Sequence, residues 1–369
     1  MEKKRNNYIE FLRFLFCMIV FIHHSGHVTR GEVTLFPSGG LAADAFFMLT
    51  GYFGIAHMEK HFQGGKSEEI KNGKTMWYTL KYTLLKIIKV YPYLVVGTVL
   101  IYALEFAGLI KSGAIQAFEI TERIRTLLVE LSLLPLTGLL KSGEIDLVTY
   151  RNSPMWYLSA MLIAMPLLLF IAVRFRDIFK HYLVWFIPPM LQGWMIVRFG
   201  GVLPWTFFEG FLNSGIIRGF CSMMMGGAIF YLARYLGRKI KAGTLTRVLL
   251  TILEVGLLGL VIFEVVHGVS GYQEMAALYL IAGTLVLSFS TLTYTGSLGG
   301  EKFFGFLGKL SMPIYCIHWG VYRVVSAASK FIPVKNYYAL MGIAFAGTVI
   351  ISVLMMLILA KAGKRKKTA

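Results

Sequence analysis

The sequence predicts an all-α, polytopic membrane protein. Of its 369 residues, 56% are hydrophobic and only 15% are charged, whereas a soluble domain of this length would need far more polar surface. Apolar stretches of about twenty residues are long enough to cross a bilayer as helices. Ten such stretches occur along the chain, at 8–28, 40–58, 82–108, 154–173, 182–198, 214–235, 247–267, 274–293, 304–328 and 337–360.

The positions of Lys and Arg predict the side of the membrane that each loop faces. With ten spans, the basic clusters at the N-terminus, in the loops 59–81 and 236–246 and in the tail 361–369 all fall on one side. Cytoplasmic loops carry such an excess of positive charge, so we expect both termini in the cytoplasm and the tail at anionic headgroups.

One further apolar segment, 121–140, is too polar for an ordinary span because it contains Glu130 and Pro135. If it crossed the membrane, the later basic clusters would face outward. We therefore expect it to be an interfacial or re-entrant helix in a long outer loop, about 109–153. The whole chain, 1–369, is then a single transmembrane domain.

Composition also disfavours several other classes of protein. The net charge of +18 lies in short clusters between apolar spans rather than in a basic groove, so we expect no nucleic-acid partner. Cys17, Cys221 and Cys316 lie within apolar segments at spacings that suit neither a disulfide framework nor a metal site. No His-Glu-x-x-His helix is present, and we expect no metal. A Gly-x-Ser-x-Gly nucleophile motif is also absent.

The first span carries an unusual set of ionisable residues. An Arg near the middle of a spanning helix costs roughly 2.5–3.5 kcal/mol, so such residues usually face a protein interior or a water-filled cavity. Arg13 and His24 share one helix face, roughly 16 Å apart along the axis. We favour His24 over His27, and both over His23, as a functional side chain. The alternative is that these His residues only cap the outer membrane interface.

Comparison by depth predicts two polar layers. The outer layer contains His24, Asp44, Trp156, Arg218 and His318, and the inner, basic layer contains Arg13, Lys86 and Lys89. Simpler interpretations stay open for three of these residues. His318 would only hydrogen-bond at a helix end, Trp156 would anchor the interface, and Arg218 would pair with an acidic group such as Glu254 or Glu264.

Several motifs resemble the acyltransferase-3 family of integral membrane O-acyltransferases, which act on bacterial envelope glycans. The segment 10–13 (EFLR) followed by His24 is similar to the family's first-helix signature. Three further segments resemble family motifs. They are 44–52 (DAFFMLTGY) in the second helix, 153–158 (SPMWYL) at the start of the fourth, and 307–318 (LGKLSMPIYCIH) in the ninth. Two departures occur: Lys86 and Lys89 stand where the family usually has an Arg pair, and Thr50 replaces a Ser before Gly51.

The resemblance implies transfer of an acyl group, most often acetyl, from cytoplasmic acyl-CoA to a hydroxyl of an extracytoplasmic glycan or glycolipid. In that reaction His24 would be the general base, because a neutral imidazole titrates near operating pH. Arg13, Lys86 and Lys89 would hold the donor, although Lys lacks the bidentate fork of Arg.

Other polar residues would support this reaction. Asp44 or Glu10 would orient or balance the basic groups. The acceptor would be bound by the remaining candidates, namely Trp156, Arg218, His318, His27 and Glu10. The expected location is the bacterial cytoplasmic membrane. A transporter of polysaccharide or of a small polar solute is the alternative function, and a broken helix at 311–313 (SMP) would favour it.

Overall fold

A computed structural model describes residues 6–29, 35–63, 74–113, 116–137, 141–142, 145–146, 151–329, 331 and 336–368. Eleven long helices make up most of this described part. They are α1 (Asn7–His23), α2 (Leu41–Gln63), α3 (Thr75–Ser112), α4 (Ala117–Leu131), α5 (Trp156–Arg174), α6 (Val184–Phe199), α7 (Ser214–Lys239), α8 (Thr244–His267), α9 (Tyr272–Ser290), α10 (Glu301–Ala328) and α11 (Tyr337–Thr368).

Short elements connect these helices. Two antiparallel pairs of two-residue strands occur, β1 (Lys141–Ser142) with β2 (Ile145–Asp146) and β3 (Phe208–Glu209) with β4 (Leu212–Asn213). Helical turns at Gly26–Thr29, Pro135–Thr137, Ser153–Met155, Arg176–Ile178, Phe179–Leu183 and Thr295–Ser297 complete the described connections.

The predicted all-α membrane class is confirmed. Seven described helices are long and apolar enough to cross a membrane: α2, α3, α5, α7, α8, α9 and α11. Each of the other three predicted spans also contains a long helix, α1, α6 or α10. Helices α1 and α6 are shorter, with 17 and 16 residues. Helix α10 is long, but charged and polar aromatic side chains lower its mean hydropathy.

Contacts between helix ends show which ends of several helices lie together. At one end of the bundle, the hydroxyl of Ser38 and the backbone of Val269 are hydrogen-bonded. At the other end, Asn7 donates to the carbonyl of Leu298, and Gly237 packs against the carbonyl of Ser290. The start of α1 therefore lies at the same end as the end of α7, as the predicted topology requires.

Helix α7 packs closely against α2 because two glycines allow their backbones to meet. A Cβ on Gly226 would lie 2.1 Å from the carbonyl oxygen of Met48, and one on Gly51 would lie 1.9 Å from that of Met223. Small residues at such crossings are typical of membrane bundles, where close packing rather than water exclusion drives association. This crossing brings the polar residues of the two helices together.

Two details of the predicted spans were wrong. The first span, 8–28, is not one helix: α1 ends at His23, and a separate turn follows at Gly26–Thr29. Helix α10 is not broken at Pro313 but runs through it. A proline removes one backbone donor, and neighbouring helices can support the helix on both sides of it.

Candidate functional site

The end of α1 and the second half of α10 bring two histidines into contact. His24, the residue after the last of α1, lies with its Nδ1 2.9 Å from Nε2 of His318. The two rings are nearly parallel, with an angle of 12° and centroids 5.2 Å apart. His318 is completely buried, whereas His24 is half-buried. The predicted outer-layer residues His24 and His318 therefore form a direct pair.

The backbone of α10 determines which nitrogen of each histidine carries a proton. Nδ1 of His318 lies 2.8 Å from the carbonyl oxygen of Tyr315 and 3.1 Å from that of Ile314. A carbonyl only accepts, so this Nδ1 is protonated, and Nε2 of the neutral ring is an acceptor. His24 must then donate from Nδ1. In the pair of neutral rings, Nε2 of His24 is then the nitrogen that carries no proton.

Aromatic side chains surround the histidine pair. Trp319 meets the ring of His24 edge-on, with centroids 4.9 Å apart. Tyr322 meets His318 in the same way at 5.9 Å, and its hydroxyl donates to the carbonyl of Phe21. These contacts pack the pair among aromatic rings.

A buried ion pair joins α2 to α7 at the same end of the bundle. Arg218 donates from Nε and Nη2 to the carboxylate of Asp44, with the shortest contact at 2.6 Å, and both side chains are buried. Ser222, one turn along α7, donates to the same carboxylate at 2.7 Å. Arg218 thus does pair with an acidic group, but the partner is Asp44 rather than Glu254 or Glu264, because the α2–α7 crossing brings Asp44 to it.

The rest of the Arg218 guanidinium is also occupied. It donates to the backbone carbonyls of Gly40 and Leu203, and its plane lies over the ring of Trp156, 4.8 Å from the centroid. Trp156 is buried and stacks on Trp205 with centroids 5.7 Å apart. Trp156 therefore lies inside the bundle rather than at a lipid interface.

The inner layer lies where α1, α3 and α10 meet. Arg13 donates to Glu10 at 2.9 Å, and Gly308 leaves room for that Glu10 carboxylate. Lys86 and Lys89 lie on an exposed face of α3. Lys89 and Arg13 both lie close enough to Lys86 for their like charges to repel it. The three predicted donor-binding cations are thus brought together, and Glu10 belongs with them rather than with the outer layer.

Buried hydroxyl groups lie between the two layers. Tyr157 is hydrogen-bonded to Thr50 at 2.9 Å. Tyr315 packs edge-on against Tyr157 and donates to the carbonyl of Pro154. Tyr315 also meets the ring of His318, and Phe47 lies between Tyr157 and Trp156, so ring contacts connect the Arg218 pair to the histidine pair.

The two remaining histidines of this region have different positions. His23 donates from Nδ1 to the carbonyl of Phe36 at 2.7 Å, and Gly39 packs against its Cβ. His27 lies in the turn Gly26–Thr29, and its side chain is outside the described part of the structure. Within the described residues, no three His, Cys, Asp or Glu side chains are grouped to hold a metal ion.

Sequence reasoning missed several residues of this region. Ser222 follows Arg218 by four residues, so helical periodicity places it on the same face. Trp319 directly follows His318, but sequence adjacency does not predict that its ring meets His24. The stacking of Trp205 on Trp156 joins segments 49 positions apart and left no local signal.

Comparison with known proteins identifies the family. No curated protein and no solved structure matches the chain. The family model described as an acyltransferase domain, Acyl_transf_3, matches residues 6–357, which include every described residue of the two layers. The chain therefore belongs to the acyltransferase-3 family and is a membrane acyltransferase.

Proposed function

We propose that the protein transfers an acetyl group from cytoplasmic acetyl-CoA to a hydroxyl of an extracytoplasmic glycan or glycolipid, in the bacterial cytoplasmic membrane. The observation that carries this proposal is the hydrogen-bonding geometry of the histidine pair, from which the tautomer of each ring was inferred. An acyl transfer to an alcohol needs a base for the hydroxyl proton, and Nε2 of His24 is a nitrogen that can accept it.

The reaction balances with the residues of the outer layer. The acceptor oxygen attacks the carbonyl carbon of the thioester while its proton moves to Nε2 of His24. The carbon–sulfur bond breaks, and the thiolate of CoA leaves and takes up that proton. His318 acts through His24: its Nε2 accepts from Nδ1 of His24, which orients the ring and stabilises the transient imidazolium.

The inner layer fits the phosphate groups of the donor. Arg13, Lys86 and Lys89 carry positive charge near one another, and charge-assisted hydrogen bonds to phosphate are stronger than neutral ones. Lys86 and Lys89 lie on an exposed face of α3, and in this proposal they meet a donor that comes from the cytoplasmic side. Glu10 orients Arg13 within this group.

The Asp44–Arg218 pair supports the acceptor side. It accepts a hydrogen bond from Ser222 and donates to backbone carbonyls, so it holds the start of α7 and the ring of Trp156 in place. In this proposal Asp44 is a positioning residue rather than a proton carrier. Trp156, Arg218 and His27 lie on the acceptor side, where they form or support its binding surface.

Membrane vesicles of opposite orientation test the proposed direction of transfer. Inside-out vesicles from a bacterium that produces the protein are given acetyl-CoA labelled in the acetyl group, and the label is followed into the glycan and lipid fractions. We expect labelling in inside-out vesicles and none in right-side-out vesicles. Transport of a glycan without any transfer of label would contradict the proposal and favour the transporter alternative.

A further inference from the structure

A second basic region, away from the two layers, encloses a cavity of about 310 Å³. This volume is at the lower end of the range for small-molecule sites. The cavity lies where α2 and α7 end and where the chain leaves α5, on the predicted cytoplasmic side. Five cationic, one acidic and three aromatic residues line it: Arg176, Lys180, Arg234, Arg238, Lys239, Glu59, Phe230, Tyr231 and Tyr235.

The single acidic residue of this cavity is already engaged. Glu59 is buried and accepts from Arg176 at 2.7 and 3.2 Å. The hydroxyl of Tyr231 donates to the same carboxylate at 2.9 Å. Glu59 therefore neutralises Arg176 and joins it to Tyr231.

The other four cations form no ion pair of this kind in the described part of the chain. Within the described residues, no carboxylate lies within ion-pair distance of Lys180, Arg234, Arg238 or Lys239. Basic residues are common on the cytoplasmic side of membrane proteins, where they are usually solvated. Here they line one cavity together with three aromatic residues. The general excess of positive charge in cytoplasmic loops does not by itself require such a grouping.

This cavity is separate from the donor-binding cations of the inner layer. On α2, His57 stacks against Tyr82 of α3, and Lys86 lies over the same Tyr82 ring. Glu59 follows His57 by two residues, which places it about 200° around the helix. Helix α2 therefore lies between the cavity and the inner layer.

We propose that the cavity is a second anion site, which binds a phosphate group presented from the cytoplasmic side. Lys and Arg side chains bind phosphate oxygens through charge-assisted hydrogen bonds, and basic clusters at this depth attract anionic headgroups. The phosphate belongs either to an anionic lipid or to a soluble nucleotide. The site does not depend on the acyl-transfer proposal, because binding is measured without turnover.

Two probes distinguish the sources of the phosphate. The full-length protein in detergent is titrated with phosphatidylglycerol, with phosphatidylcholine as the neutral-lipid control, and bound lipid is counted by native mass spectrometry. In the second arm, binding of adenosine 3′,5′-bisphosphate is measured by equilibrium dialysis. Selective retention of phosphatidylglycerol identifies a lipid site, and selective binding of the bisphosphate identifies a nucleotide site.

Matched charge variants assign that binding to the cavity. The test variant loses three lining cations, Lys180→Gln, Arg234→Gln and Arg238→Gln. The control variant loses three exposed lysines on the same predicted side, Lys241→Gln, Lys302→Gln and Lys361→Gln. We expect the test variant to lose about tenfold or more in affinity and the control to change less than about twofold. Equal losses in both variants, or no binding of either probe, would overturn the proposal.

A measurement on the unaltered protein covers the case in which the test variant fails to fold. Lysines are modified with an amine-reactive acetylating reagent, with and without the phosphate probe, and quantified by mass spectrometry. We expect the probe to protect Lys180 and Lys239 and to leave Lys241 reactive. Equal modification of all three lysines in the presence of saturating probe would also reject the site.

Discussion

At the scale of single residues, the proposed chemistry depends on two imidazoles that are joined by one hydrogen bond. The carbonyls of α10 hold His318 in one tautomer, and His318 in turn selects the tautomer of His24. An isolated histidine in the same position would be free to rotate and to exchange tautomers. A neutral imidazole can accept a proton near neutral pH, and the contact with His318 fixes which nitrogen of His24 does so.

Loss of the base is expected to abolish most of the activity. His24→Ala should lower kcat by about 10²–10⁴-fold, the usual contribution of a general base. The rate of label transfer in vesicles measures it. His267→Ala is the matched control, because His267 is exposed at the same end of the bundle. Wild-type turnover by a folded, inserted His24→Ala protein would remove the base assignment.

His318 is expected to act on the base rather than on the substrate. His318→Gln leaves His24 in place but removes the ring that accepts from its Nδ1. We predict a lower kcat with little change in KM and a shifted pH profile, because the imidazolium of His24 loses its partner. The kcat profile from pH 5.5 to 8.5 is the readout. A lower rate with an unshifted profile would indicate that His318 has only a packing role.

At the scale of elements, helix α4 holds a buried carboxylate. Glu130 accepts from the backbone N–H of Asn152 at 2.7 Å and from the hydroxyl of Tyr102 at 3.0 Å. Asn152 lies just before the turn that begins α5, so the contact ties α4 to the helix that carries Trp156. Burial raises the pKa of Glu130, although the hydrogen bonds oppose this effect.

The shifted pKa predicts a pH dependence of stability. Because the folded protein holds the Glu130 proton to higher pH than the unfolded chain, the folded state binds more protons in that interval. Stability is therefore expected to fall as pH rises from the ordinary value for glutamate through the raised value. Thermal unfolding in detergent between pH 4.5 and 7.5 measures this, and Glu130→Gln should flatten the curve in that interval. An unchanged slope in the variant would contradict the prediction.

The α2–α7 crossing is expected to tolerate no added atoms. Gly226→Ala places a Cβ against the backbone carbonyl of Met48, and such overpacking typically costs about 1–3 kcal/mol. Gly256→Ala in α8 is the control, because its Cβ meets nothing within 4 Å. That control should be neutral or more stable by up to about 1 kcal/mol. The two variants are compared by their unfolding temperatures in the same detergent. Equal stability of the two would show that the crossing can relax.

At the scale of the whole molecule, the alternation of helices carries the two layers to opposite ends of one bundle. The histidine pair and the Asp44–Arg218 pair lie at one end, and Arg13 with Lys86 lies toward the other. Helix α10 contributes to both, since Gly308 accommodates Glu10 and His318 pairs with His24. A reaction with its donor and acceptor on different sides of a membrane needs this separation.

The predicted orientation can be tested with introduced cysteines. The native Cys17, Cys221 and Cys316 are all buried, so they should react little with a membrane-impermeant maleimide. In intact cells we expect Ser270→Cys to be labelled and Lys241→Cys to be labelled only after permeabilisation. The reverse pattern would place the termini outside and reverse the proposed direction of transfer.

The sequence by itself determined the class of the protein and the set of candidate polar residues. Hydropathy is read locally, and the thickness of the bilayer sets the length of each apolar segment, so ten helices could be assigned from the chain alone. The cost of charge in lipid likewise marked Arg13, His24, Asp44 and Arg218 as residues with partners. Which partner each one has was not accessible in this way.

Only the tertiary structure decided those partners. His24 meets His318 across 294 positions, and Asp44 meets Arg218 across 174. In lipid, apolar surface does not by itself choose one neighbouring helix over another, so adjacency follows from small-residue crossings and from pairs of polar side chains. These depend on both helices at once, and no window of the sequence contains both.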